Sequence, residues 1–163
     1  MASISGAATG YLVGLLTSAT GVDARALEIA KEDGAEHVAG VRTIMIQNAA
    51  ADLAERTLQG KYPAVLVYCD KLANTLKEKF RVFSGTARIC IEVRCTRDRL
   101  EGLDEHLQLY SAAVCRVLEN ERGQWTQGLY YAGGYEVTYG PVRSGGNYFL
   151  QSAKVVLDVE VSR

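Results

Sequence analysis

The chain has 163 residues, 48% of them hydrophobic and 23% charged, with 18 basic and 19 acidic side chains and a formal net charge of -1. That length suits one domain with a real core, and the near-neutral charge gives no bulk attraction to nucleic acid or to an anionic membrane. Cys69, Cys90, Cys95 and Cys115 form no C-x-x-C pair and have no histidine pair beside them, so reduced, mostly buried thiols are expected, with no metal and no cofactor.

The opening M-A-S-I-S-G-A-A-T-G-Y-L-V-G-L-L lacks a basic stretch, and its short apolar run is interrupted by Gly6, Gly10 and Gly14. It reads as neither a signal peptide nor a membrane span. The three glycines form a small-x-x-x-small row, which in a helix would let another backbone approach closely. Residues 1–40 are expected to form an N-terminal arm or small helical extension, loosely packed, and residues 41–163 the main domain. Within the arm, R-A-L-E-I-A-K-E predicts a short helix over 24–32 that ends near Gly34. Residues 41–58 are mainly helical in composition, with a strand over 43–47 as the alternative.

Tyr62-Pro63-Ala64-Val65-Leu66-Val67-Tyr68-Cys69 is a short apolar run rich in valine, which predicts a buried strand. Phe80 to Val82 suggest a strand entering a turn at Ser84-Gly85, forming a hairpin with the strand that follows. That next strand, T-A-R-I-C-I-E-V-R-C-T over 86–96, is the cleanest in the chain. Ile89, Ile91, Val93 and Cys95 take one face, while Arg88, Cys90, Glu92 and Arg94 take the other. Cys90 and Cys95 therefore cannot bridge within it.

Asp98 stands three residues before Glu101, a capping-box-like spacing. Leu103, Leu107, Tyr110, Val114, Val117 and Leu118 then recur at steps of three and four. One long amphipathic helix is predicted over about 98–122, stopped by Gly123. Beyond it, 125–131 reads as one strand, Gly133-Gly134 as a tight turn, and Tyr135, Val137 and Tyr139 as alternate positions of another strand ended by Gly140-Pro141. R-S-G-G-N over 143–147 is expected to be a flexible loop, and 148–161 a strand that pins the chain into a sheet. The short links favour antiparallel pairing, so the expected fold class is α+β: a mostly antiparallel sheet flanked by helices, with the long helix packed on it.

Catalytic signals are sparse. His37 and His106 are the two histidines, and G-x-S-x-G, H-E-x-x-H and G-x-x-x-x-G-K-[ST] do not occur. Asp98, Glu101, Asp104 and Glu105 complement the positive end of the helix dipole, which is reason enough for their presence. No catalytic residue is assigned, and the chain is expected not to be an enzyme. Six of nine tyrosines fall between Tyr110 and Tyr148, joined there by Trp125 and Phe149. Such rings either pack the sheet or form a surface covered by a partner. The candidate interaction residues are Tyr135, Tyr139, Arg143, Asn147 and Tyr148.

K-Y-P-A-V-L-V-Y-C-D, the F-S-G turn with I-C-I-E-V-R-C-T, the amphipathic helix, Y-Y-A-G-G-Y-E-V-T-Y-G-P-V-R-S-G-G-N-Y-F-L-Q-S-A and V-V-L-D-V-E-V-S-R follow one another from about residue 62 to 163. This order and texture resemble the neck proteins of long-tailed bacteriophages, and among them the tail terminator, or tail-completion, family. The first ~40 residues do not match the shared pattern. The resemblance implies a structural virion protein made in the host cytoplasm, located in the tail or neck, and assembled as a ring, commonly a hexamer, on the tail tube. Its implied partners are further copies of itself, the tail tube protein, the head-tail connector or stopper protein and, in contractile tails, the sheath. DNA would pass through the channel without sequence-specific binding, and no membrane is involved. A head-closure or stopper protein is the alternative within the class, and a small-ligand α+β enzyme the alternative outside it.

Overall fold

The computed structural model describes residues 3–49, 62–145 and 147–163. The elements, in order, are helices α1 (Ile4–Thr17) and α2 (Val22–Glu32), strands β1 (Thr43–Ile46), β2 (Ala64–Asn74) and β3 (Ser84–Arg97), and helix α3 (Leu103–Glu119). Strands β4 (Gly123–Thr126), β5 (Leu129–Tyr131), β6 (Glu136–Tyr139), β7 (Arg143–Gly145) and β8 (Tyr148–Ser162) complete the fold. One eight-stranded sheet runs β1-β2-β3-β8-β5-β4, and β6 and β7 also pair with β8. Among the described residues every pairing is antiparallel except that of β1 with β2. The protein is thus an α+β fold with helices against a mostly antiparallel sheet.

The long β3 and β8 strands form the spine, in register from Ser84↔Ser162 to Arg97↔Phe149. Ile89, Ile91, Val93 and Cys95 lie opposite Leu157, Val155, Ala153 and Gln151. Residues opposite one another in register share a face. The apolar rows of the two strands therefore coincide, and Leu103, Leu107, Tyr110, Val114 and Leu118 of α3 pack on them, all 1% exposed or less. Cys90 lies opposite Val156, on the other face from Cys95, and all four thiols are free.

Helix α1 is part of this core and not a loose arm. Ser3 caps it, its Oγ accepting from the Gly6 N–H at 3.0 Å. Ala8, Leu12 and Leu16, spaced by four, are buried in the same cluster as Val65, Val67 and Ile89. Burying each leucine stabilises the fold by roughly 1.5 to 3 kcal/mol before ordering costs. Gly10 and Gly14 are on the exposed side, with nothing within 4 Å of a Cβ built on either. The glycine row therefore meets no backbone, because the leucine row has taken the core. Helix α2 packs against α3, where Arg116 bridges to Glu32 at 3.0 Å.

At the start of the expected helix over 41–58 the alternative holds: Thr43-Ile44-Met45-Ile46 is a strand pairing in parallel with residues 64–67. Two β-branched isoleucines and a threonine suit a pleated surface, and β2 offers an apolar edge. Residues 50–58 of the expected helix lie outside the described residues. The hairpin before β3 exists, but its first strand is β2; Phe80 to Val82 form no strand and lie in the connecting loop. Asn74 replaces that missing strand, its Nδ2 donating to the Val82 carbonyl while its Oδ1 accepts from the Ser84 N–H.

Helix α3 is shorter than predicted. Its N-cap is Gly102, in the left-handed region at φ 77°, and no side chain caps it, so Asp98 does not form the expected box. It ends at Glu119 with Asn120 as C-cap, four residues before Gly123, which begins β4 instead. The single strand expected over 125–131 is a hairpin, β4 with β5, turned at Gly128 with φ 80°. The loop expected over 143–147 is in part strand β7, with Arg143 opposite Leu150 and Gly145 opposite Tyr148. The hydrogen bonds of β8 had to be met on its outer side, and β5, β6 and β7 meet them in turn.

Candidate interaction surface

Strands β5, β6 and β7 form one broken track along the edge of β8. Tyr131 pairs with Val159, Glu136 with Val156, Tyr139 with Ala153 and Arg143 with Leu150. From Tyr131 to Glu136 the track carries two more residues than β8, which preserves facing. From Tyr139 to Arg143 it carries one more, and a one-residue slip moves every later side chain to the other face. That bulge is pinned: the Gly140 N–H donates to the Ser152 carbonyl at 2.8 Å, and buried Gln151 donates through Nε2 to the Gly140 carbonyl and to Asp104 Oδ1. Asp104 thus does more than complement the helix dipole. It ties α3 to the bulge.

The five candidate residues are accordingly divided. Tyr135 and Tyr139 lie on the helix side, lining with Val137, Cys115 and Arg116 a groove of about 380 Å³ between β6 and α3. The Tyr135 hydroxyl donates to Glu119 Oε1 at 2.8 Å; that bond first, and burial second, push its pKa up. Burial likewise pushes the Cys115 thiol up to about 11. Arg143 and Tyr148 lie on the opposite face, since they pair with Leu150 and Gly145 there, and Asn147 sits in the turn between β7 and β8. Tyr139 is 51% exposed and Tyr148 54%, whereas Tyr135 is half-buried.

The aromatic residues separate in the same way. Trp125 stacks on Tyr11 of α1 at 5.1 Å and meets Tyr131 at 5.4 Å, its Nε1 donating to the Glu121 carbonyl. Tyr110 is buried, with its hydroxyl donating to the Ala39 carbonyl. These rings pack the core, and Tyr130, Tyr139 and Tyr148 face outward.

No described helix packs on the opposite face of the sheet, and this face holds groups that residue types alone did not single out. Arg94 is buried there, donating through Nη2 to Glu92 Oε2 at 2.8 Å and to the Ala49 carbonyl, and Arg143 and Lys154 share its hollow of about 350 Å³. Lys154 lies over the Tyr68 ring, 5.9 Å from its centroid. A larger hollow of about 680 Å³ continues along the same face, bearing Asp70, Glu136, Asp158 and Glu160 against Arg88 and Lys154. Arg88 and Asp158, paired in register, are joined twice, at 3.0 and 3.3 Å. Period-two patterning did place Arg88, Glu92 and Arg94 on this face; burial of Arg94 was the part with no sequence signal.

Among the described residues no group of three or more His, Cys, Asp or Glu is arranged to hold a metal ion, and no helix is long and apolar enough to cross a membrane. His37 and His106 both border one hollow beneath α3. Burial first, then Arg97, lowers the pKa of His106, which meets Tyr110 edge-on at 6.4 Å. No protein-family model matches the chain, and no curated protein matches it.

Proposed function

We propose that this chain is a structural virion protein that assembles as a ring on the tube of a long-tailed phage, ending tube polymerisation and offering a joining surface to the head. The supporting observation is the pair of unlike sheet ends. Parallel strand β1 lies at one end of the strand order, and at the other the broken β6–β7 track borders β8 beside the β5–β4 hairpin. Unpaired edges invite strand pairing or coverage by another chain. Two different edges suit head-to-tail contacts, and closure of such contacts sets the copy number, here a hexamer in keeping with the resemblance.

In this reading Tyr139, Arg143, Asn147 and Tyr148 lie at the β6–β7 edge, where they meet a neighbouring subunit or the tube protein. The head-tail connector docks on the exposed ring face, with the sheath as a further neighbour in a contractile tail. DNA passes through the channel without sequence readout. The test is a polymerisation assay with the cognate tube protein. Added before elongation ends, the protein should cap tubes at their growing end. Arg143→Glu should abolish capping while leaving the circular dichroism spectrum unchanged. Tubes that grow unaffected would refute the terminator reading, and recovery of the protein only on filled heads would point to a stopper.

A further inference from the structure

The loop between β2 and β3, residues 75–83, presents three apolar side chains to solvent, while Phe83 packs against the core. Phe80 is 102% exposed, Val82 91% and Leu76 65%. Between them stand Lys77, Lys79 and Arg81, all exposed and none in an ion pair among the described residues, with Glu78 as the loop's one acid. The loop is nonetheless held in a defined shape. Lys77 and Phe80 both occupy the left-handed region, at φ 52° and 62°, a conformation that side-chain-bearing residues adopt at a cost and that persists where surrounding bonds fix it. The Leu76 N–H donates to the Ser84 carbonyl at 2.9 Å, Ser162 donates to Glu78 Oε2 at 3.0 Å, and Phe83 and Arg163 exchange a pair of backbone bonds at 2.8 Å. A fixed aromatic tip ringed by cations is a preorganised binding element, because the ordering cost is met within the fold.

The sheet face away from α3 carries the complement. Its 680 Å³ hollow has Asp70, Glu136, Asp158 and Glu160 against Arg88 and Lys154, an excess of two acids, with Val156 among its lining. The loop has an excess of two cations over its single acid. Large aromatic side chains seated in pockets are the usual energetic centres of interfaces, and matched charges set partner choice. We propose that the 75–83 loop of one copy seats Phe80 in the acidic hollow of a second copy, joining the two head-to-tail. The head-to-tail order rests on the ring reading above; the occupant is chosen on charge and exposure. Lys79 and Arg81 then face Glu136 and Glu160 of the neighbour.

The test uses the full chain alone, at high concentration and low salt, with p-benzoylphenylalanine incorporated at position 80. Irradiation should give a ladder of oligomers beyond the dimer, and mass spectrometry should place the crosslinks on peptides holding residues 132–136 and 154–160 of another copy. Lys79→Glu with Arg81→Glu, and separately Glu136→Lys with Glu160→Lys, should each cut the yield at least about tenfold, as juxtaposed like charges do. Mixing the two variants should restore it. Absence of intermolecular crosslinks, crosslinks to other surfaces, a ladder that stops at the dimer, or Phe80-dependent sedimentation with phosphatidylserine vesicles in place of self-association would each overturn the proposal. Self-association through Phe80 in a protein that leaves tubes uncapped would refute the terminator reading and keep this contact. Capping by a protein whose position 80 crosslinks only to tube protein would do the reverse.

Discussion

Tyr139 and Arg143 stand four residues apart on one strand track yet occupy opposite faces of the sheet, because the bulge at residues 140–142 gives the track one residue more than its partner. Tyr139 belongs to the groove beside α3, and Arg143 to the polar hollow with Arg94 and Lys154. The two therefore act independently. Tyr139→Ala and Arg143→Ala should change unfolding free energy additively, with a coupling below about 0.5 kcal/mol. A urea double-mutant cycle measures this, and a coupling above about 1 kcal/mol would mean that the bulge does not separate them.

Helix α1 contributes core and not merely reach. Leu12→Ala should cost about 2 to 5 kcal/mol, because Leu12 is fully buried and the cavity it leaves is lined by the sheet and α3. Gly14→Ala, on the exposed side, should be neutral or stabilising by up to about 1 kcal/mol, since it raises helix propensity in open space. Chemical denaturation of the two variants separates a packed helix from a loose arm, for which both effects would be small.

Arg94 should be costly to remove alone and far less costly to replace together with its partner. Its side chain is 3% exposed and Glu92 15%, so Arg94→Ala strands a carboxylate in a place with little water. A loss of about 3 to 5 kcal/mol is expected. Replacing the pair by Arg94→Met and Glu92→Leu should recover most of it, as measured by midpoint shifts at constant m-value.

Stability should fall in alkali. Burial pushes the Cys95 thiol from 9.0 up to about 12, and Tyr110 and Tyr131 from 10.0 up to about 12. Above pH 9 the unfolded chain releases the Cys95 proton while the folded chain keeps it, so the unfolded state gains free energy of ionisation. The two tyrosines add to the slope above pH 10. Cys95 should contribute a decline approaching about 1.4 kcal/mol per pH unit between pH 9 and 12. Cys95→Ala should flatten the first part of that decline in denaturation curves taken from pH 8 to 11.

Much of the fold was legible because its longest elements are strictly periodic. The alternation in β3 and the three-four spacing of α3 each set out the residues that are buried. The misplaced features have physical causes in common. Thr43 to Ile46, for which local composition left helix and strand both open, adopt a strand because β2 offers a parallel partner. Leu12 and Leu16 belong to the core through contacts with strands more than 45 residues away in sequence. The ends of α3 depend on Gly102 and Asn120, and an acidic pair at the right spacing was not enough to move its start to Asp98.

The division of the candidate residues was not legible. Tyr139, Arg143 and Tyr148, singled out in the sequence, are exposed. Their separation onto two faces depends on a single extra residue, and nothing in G-P-V-R-S-G-G announces a strand after the bulge. Arg94 was missed as a buried cation because an arginine on a period-two polar face is ordinarily solvated. The Phe80 loop was read as strand because its aromatic and β-branched residues suit one; two left-handed residues and full exposure set it apart.

The most direct measurement is electron microscopy of purified tail tubes incubated with the protein. The account predicts a single cap at one tube end, with rotational symmetry equal to that of the tube and density for one copy per tube subunit in the terminal ring. Tubes whose ends stay bare at saturating protein, or protein bound along the tube wall without a terminal ring, would contradict it.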